Sequence, residues 1–378
     1  MKSSRNKKPL HFLSQLVSQY RPLSLPLAFD MLPVKVSNGG RVLVIMLTHL
    51  GDVVINLFVI DAIAAFTGAR SLDIVVRPPL EQLVLSHPGV RKVIPFACPW
   101  MSRTRWPRGI MEWFKTIRRL RGDKYDLAVV THAHELSSLT ARLSGSKVTT
   151  GWAFPGDRFL NFPLYLPKEP DRHASMYGIE LLQFMGVPTV PTSGQLPVCS
   201  DDFSAGRILL EKVRTNGSGP ESLAVVIHPG AGGLKKIWPK ENFIAVIRQL
   251  LARNHTVLLV GTGSAESEIC ADIQQAFPGP KKPKNFCGQL NIGELSGIIS
   301  ACDIFIGHDS GPSHMAAALG IKSCAIFGPS DPAVWGPRGP GVRILHLGDG
   351  EFRSPESIKR VMSILTELMY EEQGSLPS

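Results

Sequence analysis

The strongest constraint on this chain is a series of short, nearly all-apolar runs, each ending in a small or polar loop. RVLVIML (41–47), LDIVV (72–76), KVIPF (92–96) and DLAVVTH (126–132) lie in the first half. SLAVVIHPG (222–230), HTVLLVGTG (255–263), DIFIG (303–307) and KSCAIFG (322–328) lie in the second. A run that is apolar at every position suits a strand covered on both faces, as in a parallel sheet. Helical spacing fills the gaps. One helix is expected from Asp52 to about Phe66, others over 110–121 and 174–185, and another over 312–319. Phe243, Ile244, Ile247, Leu250 and Leu251 share a face of 241–254. Ser264 reads as the N-cap of a helix reaching about Phe277, and Asn291 with Glu294 as a capping box for one ending at Ala301. After Ser354-Pro355, a stripe of Ile358, Val361, Met362, Leu365, Leu368 and Met369 predicts a last helix.

Residues 187–221 are rich in Pro, Gly, Ser and Thr and hold the best joint. A chain of 378 residues suits two domains. The expectation is an α/β protein of two doubly wound, Rossmann-like domains facing a cleft, with ligands at the carboxyl ends of the strands.

The net charge is +10, from 41 Lys+Arg and 31 Asp+Glu, and it is local. Residues 1–40 hold six Lys/Arg against Asp30. Residues 101–121 hold seven against Glu112, interleaved with Trp106, Trp113 and Phe114. Such segments suit an anionic surface, whether phospholipid, phosphorylated glycolipid or nucleic acid; the plainer reading is a solvated helix face. Leu10, Phe12, Leu13, Leu16, Val17 and Tyr20 fit one side of a short helix or a loose tail. The run Val42–Phe66 is broken by His49, Asp52 and Asp61, which argues against a membrane span, and the N-terminus makes a poor secretory leader. Six scattered Cys form no CxxC and no zinc spacing, which argues for a reducing compartment without a structural metal.

Three strand-end loops carry the chemistry. Thr48-His49-Leu50-Gly51-Asp52 puts an acid at a helix start, where an acid also merely satisfies the dipole. His228–Pro239 contains four small residues, which let a ligand approach the backbone, and Lys235 and Lys236, suited to phosphate, without a Walker A pattern. Gly261-Thr262-Gly263 lacks the third glycine of a dinucleotide fingerprint. Gly307–His314 runs from a strand into a helix of small residues, a ready anion site, and His314 reads equally as a core histidine.

Four segments together resemble glycosyltransferase family 9, the bacterial heptosyltransferases of lipopolysaccharide core synthesis. They are VLVIMLTHLGDVV (42–54), HPGAGGLKKIWP (228–239), DSGPSHMAAALG (309–320) and FGPSDPAVWGP (327–337). The resemblance implies a GT-B architecture. A basic extension (1–40) would precede an acceptor-binding domain (41–195) and a donor-binding domain (196–350). A last helix (351–378, with a tail) would pack back across the cleft. It implies an inverting, metal-independent, cofactor-free transfer from a nucleotide sugar, ADP-heptose first, to a phosphorylated glycolipid or surface glycan. The enzyme would be cytoplasmic and peripheral on the inner membrane, with no nucleic-acid partner. Asp52 would be the general base. Gly230, Lys236, Thr262, Glu268, Asp309, Ser310, Gly311 and His314 would bind the donor. His49, Arg103, Arg105 and Arg118 would meet the acceptor. Asn56 stands four residues after Asp52, where some members carry His. A nucleotide-sugar epimerase on the same fold and a nucleic-acid-binding module are the alternatives.

Overall fold

The computed structural model describes residues 40–68, 72–98, 106–165, 172–188, 190, 194–214 and 222–370. Almost all of the basic extension, with its candidate helix, lies outside the described residues, as do Arg103, Arg105 and the tail from 371. The first half runs β1 (Val42–Met46), α1 (Leu50–Ile55), α2 (Leu57–Thr67), β2 (Leu72–Val76), α3 (Glu81–Leu85), β3 (Val90–Pro95), α4 (Trp106–Asp123), β4 (Leu127–Val130), α5 (Glu135–Leu143), β5 (Val148–Ala153), β6 (Phe162–Tyr165) and α6 (Ser175–Phe184). The second runs α7 (Ser200–Val213), β7 (Ala224–Ile227), α8 (Lys240–Ala252), β8 (Thr256–Leu259), α9 (Gly263–Gln275), β9 (Lys284–Asn285), α10 (Ile292–Ala301), β10 (Ile304–His308), α11 (Gly311–Ala318), β11 (Lys322–Phe327), α12 (Pro332–Trp335), β12 (Val342–His346), α13 (Asp349–Phe352) and α14 (Glu356–Tyr370).

Both sheets are parallel throughout, ordered β3-β2-β1-β4-β5-β6 and β12-β11-β10-β7-β8-β9. Taken from its other edge, the second order repeats the first. Each sheet therefore has its switch point between two central strands, β1 with β4 and β7 with β10. A crevice opens there at the carboxyl ends.

The all-apolar runs are explained by what covers them. In β1, Val42, Val44 and Met46 face an inner layer, and Leu43 and Ile45 face an outer one. The inner layer joins α1, α2 and α6 of one half to α7, α10 and α11 of the other in a continuous apolar contact. The outer face of the first sheet is covered by α4 and α5. The outer face of the second is covered by α8, α9 and α14. The linker threads this inner layer: a Cβ on Gly194 would lie 2.5 Å from the amide nitrogen of Phe58, and the Leu196 amide donates to Ala318 O at 3.1 Å.

Several expectations change. The single helix after Asp52 breaks at Asn56, whose side chain donates to Asp52 O at 2.8 Å. The N-cap of α9 is Thr262, not Ser264. The polar stretch 187–221 contains α7, which docks on α10 through glycines. The stripe of Val361, Met362, Leu365 and Leu368 on the last helix joins the core on the outer face of the second sheet. The Asn291–Glu294 capping box is present, with both bonds made. All six cysteines are free, and among the described residues no helix is long and apolar enough to cross a membrane.

A Cβ on Gly297 would lie 2.0 Å from Asp202 O, so α7 and α10 touch backbone to backbone. Gly297→Ala is expected to push them apart and to destabilise the fold by about 1–3 kcal/mol, the usual range for overpacking. Urea unfolding reads the effect; an unchanged midpoint would mean the helices slide freely.

Candidate active site

Two helix starts meet between the halves. A Cβ on Gly51, in the first turn of α1, would lie 3.1 Å from the His314 ring of α11. A Cβ on Gly311 would lie 2.4 Å from the Leu50 side chain. The glycines leave no gap, and the contact sets two strand-end loops face to face.

On the first side stands Asp52, half-buried at the third position of α1. Its carboxylate accepts from the His49 amide at 3.2 Å. Burial raises its pKa above the ordinary carboxylate value, the His49 contacts oppose that rise, and the Asp309 charge from the other half adds to it. Arg77 reaches Thr48 O at 3.3 Å and His49 Nδ1 at 3.4 Å, bracing the loop. His132, next to β4, bonds Ser137 Oγ through Nε2 at 3.0 Å.

On the second side, Lys236 pairs with Asp309. Ser310 caps α11, and its hydroxyl lies 3.2 Å from His228 Nδ1. His228 Nε2 lies 3.3 Å from Glu266 Oε2, which also accepts from the Thr262 amide at 2.6 Å. Burial pushes the Glu266 carboxyl upward, but the His228 contacts and the Thr262 amide leave it below its ordinary value. A Cβ on Gly230 would strike Glu266 at 2.2 Å, so that glycine is required for the loop to lie on the acid.

His308 shapes the loop from below. Its Nε2 accepts from the Trp238 amide at 2.9 Å, which leaves Nδ1 to donate to Gly230 O at 3.0 Å. Those partners fix one neutral tautomer. Burial holds its pKa down to about 4, although the Gly230 bond favours the charged form. His314 is likewise pushed down by burial to about 4 against the pull of Asp309.

Asp52, Gly230, Lys236, Thr262, Asp309, Ser310, Gly311 and His314 thus lie on the loops and helix starts around this junction, with His49 beside Asp52. Glu268 does not join them: it is exposed on α9, whereas Glu266, two residues earlier, bonds His228 and the Thr262 amide. Both acids follow the Gly-Thr-Gly turn, and only the helix phase separates them. Arg118 is also elsewhere. It lies on the solvent side of α4, whose other side covers the outer face of the sheet. His228, Glu266 and His308 went unnoticed in the sequence as site residues, although H-P-G and G-H-D-S flag both histidines. His173 was missed too. Its Nε2 donates to Gly336 O at 2.8 Å, tying the chain before α6 to the segment after α12. Among the described residues no group of three His, Cys, Asp or Glu could hold a metal ion.

The profile of glycosyltransferase family 9 (heptosyltransferase) matches residues 113–360. The chain belongs to glycosyltransferase family 9. It is 36% identical over 124 residues to lipooligosaccharide heptosyltransferase 2 of Campylobacter jejuni, a stretch covering 32% of this chain and 39% of that one. Against lipopolysaccharide heptosyltransferase 2 of Escherichia coli, identity is 25% over 329 residues, covering 82% and 89%. The solved structure of the Escherichia coli ADP-heptose lipopolysaccharide heptosyltransferase II superposes with a TM-score of 0.72 at 24% identity, covering 88% of this chain and all of that one. The fold is therefore GT-B, as the four motifs implied.

His132, His308 and His314 hold pKa values near 3, 4 and 4, below the 6.5 of a free imidazole. Between those limits the unfolded chain takes up protons that the folded chain refuses. Stability should then fall as pH drops from about 6.5 toward 4, each group contributing on the order of 1.4 kcal/mol per pH unit. Melting temperatures across that window check this; a flat profile would contradict it.

Proposed function

We propose that this protein transfers heptose from ADP-heptose to a lipopolysaccharide-core acceptor, inverting the anomeric centre and needing no metal. One observation carries the reading: Asp52 of one half faces the Lys236–Asp309 pair and the start of α11 across the Gly51–His314 contact. The names of the relatives supply the sugar and the acceptor class. The family supplies the reaction class.

In this reading the Asp52 carboxylate takes the proton of the acceptor hydroxyl while that oxygen bonds to the anomeric carbon. The bond from that carbon to the diphosphate oxygen breaks, and ADP leaves with its electron pair. Base and leaving group lie on opposite sides of one cleft, which suits a single displacement with inversion. Lys236 turns from Asp309 to the diphosphate, a charge-assisted contact. At the start of α11, Pro312 has no N–H, and the amides of Ser313 and His314 bond Ser310 O at 3.1 and 3.4 Å. Gly311 is then the backbone donor for phosphate, with the helix dipole behind it. These fixed positive groups stabilise the departing charge in the manner of an oxyanion hole, the work a cation does elsewhere. Asp309, freed from Lys236, accepts from the sugar hydroxyls, and Glu266 accepts from the ribose. His49 and Arg77 line the acceptor side. The enzyme works in the cytoplasm at the inner-membrane surface, where a glycolipid acceptor is anchored.

ADP release from ADP-heptose that requires the acceptor tests the reading. Asp52→Asn should lower kcat by about 10²–10⁴-fold, the usual worth of a general base, with ADP binding and melting temperature retained. Full turnover in that variant would remove Asp52 from the chemistry. EDTA should leave turnover unchanged; loss restored by a divalent cation would overturn metal independence. Because burial raises the Asp52 pKa above 3.8, the acid limb of kcat/KM should lie above that value.

A further inference from the structure

We infer that the outer face of α4 is a membrane-docking surface for an anionic phospholipid bilayer. This deepens the inner-membrane part of the proposed function and does not depend on the identity of the sugar. The helix has 18 residues, about 27 Å at the usual rise. Trp113, Ile117 and Leu120 bury one side against the outer face of the first sheet. The opposite side carries Arg108, Lys115, Arg118, Arg119 and Arg121, all exposed, against one exposed acid, Glu112. Glu112 is bonded to Lys115 one turn on, at 2.8 Å.

Among these charges stand Met111 and Phe114, each 58% exposed. A solvated helix face explains the charges but not two large apolar side chains in their midst. A basic helix face that also presents bulky apolar groups matches an anionic lipid surface: headgroup phosphates take the Lys and Arg, and the acyl boundary takes Met and Phe. Nucleic acid would use the charges and leave Met111 in water.

The placement also makes mechanical sense. α4 leaves the carboxyl end of β3, the cleft end of the sheet, and covers the face turned away from the second half. Docking through it leaves the cleft and the donor half clear of the bilayer. Arg118 therefore meets lipid phosphate on the outside, not acceptor in the cleft.

Flotation of the full chain with vesicles tests this, using phosphatidylcholine alone and phosphatidylcholine with phosphatidylglycerol. The wild type should float with the anionic vesicles only and be released by salt. Met111→Ser/Phe114→Ser and Lys115→Glu/Arg119→Glu should each weaken that partition by about tenfold or more. Their circular dichroism and melting temperature should be unchanged, because all four side chains are exposed. Their acceptor-dependent ADP release on a delipidated, water-soluble acceptor should also match the wild type. Partition that survives both double variants would place membrane binding elsewhere in the chain and overturn the proposal. Retention on duplex DNA without flotation would also overturn it. Flotation of a chain inactive in sugar transfer would keep the docking surface and discard only the proposed reaction.

Discussion

The site depends on one steric fact: two helix starts from different halves pack glycine against side chain, Gly51 and Gly311 each leaving room for a residue of the other half. Gly51 lies against the His314 ring and Gly311 against Leu50. A Cβ at Gly311 would collide with Leu50, and one at Gly51 would press on the His314 ring, so a larger residue at either position strains this contact. Everything that acts across the cleft depends on that spacing. Asp52 feels the charge of Asp309 only because the two loops are this close. The contact is local, but it is held from both sides by the continuous apolar inner layer and by the His173–Gly336 bond.

The second half builds its loop on a neutral histidine. His308 spans the His228–Trp238 loop, donating to Gly230 O and accepting from the Trp238 amide. A protonated ring could not accept from Trp238, so burial and bonding favour the same state. Trp238 is in turn fixed, its indole N–H donating to Ser357 Oγ at 3.0 Å at the start of α14. The last helix thus supports the His228–Trp238 loop from behind, through the core. Its apolar stripe needs a hydrophobic partner, and α8 with β11 provides one.

The sequence made the central strands and their loops legible, and physics explains why. A strand covered on both faces has few polar positions, so β1, β4, β7 and most of β10 stand out as apolar runs. The two switch points fall beside those same strands, so the chemistry-bearing loops were legible too. The edges were harder. β6 (162–165) is partly exposed, β9 has two residues, and neither shows a run. α7 is hidden by the glycine and polar residues that let it press on α10. Glu268 is the expected acid, and Glu266 is the one bonded to His228 and Thr262, because a motif gives the neighbourhood of an acid but not its helix phase. Arg118 is expected among acceptor-binding residues because charge is visible in a sequence and the covered face of a helix is not.

Charge placement follows from the same geometry. α1 and α11 both point their N-termini at the junction, so two positive dipole ends converge there. Asp52 and Asp309 answer them, with Lys236 held on Asp309. A further exposed cluster of arginines in this small space would have to be desolvated and would repel Lys236. Among the described residues, the basic cluster of α4 instead lies on the far side of the first sheet, along the solvent face of that helix. A sheet covered on both sides can separate the two tasks because its outer helices never meet the other half. The inner layer sets the distance between reacting groups, and the outer layer is free to face a surface.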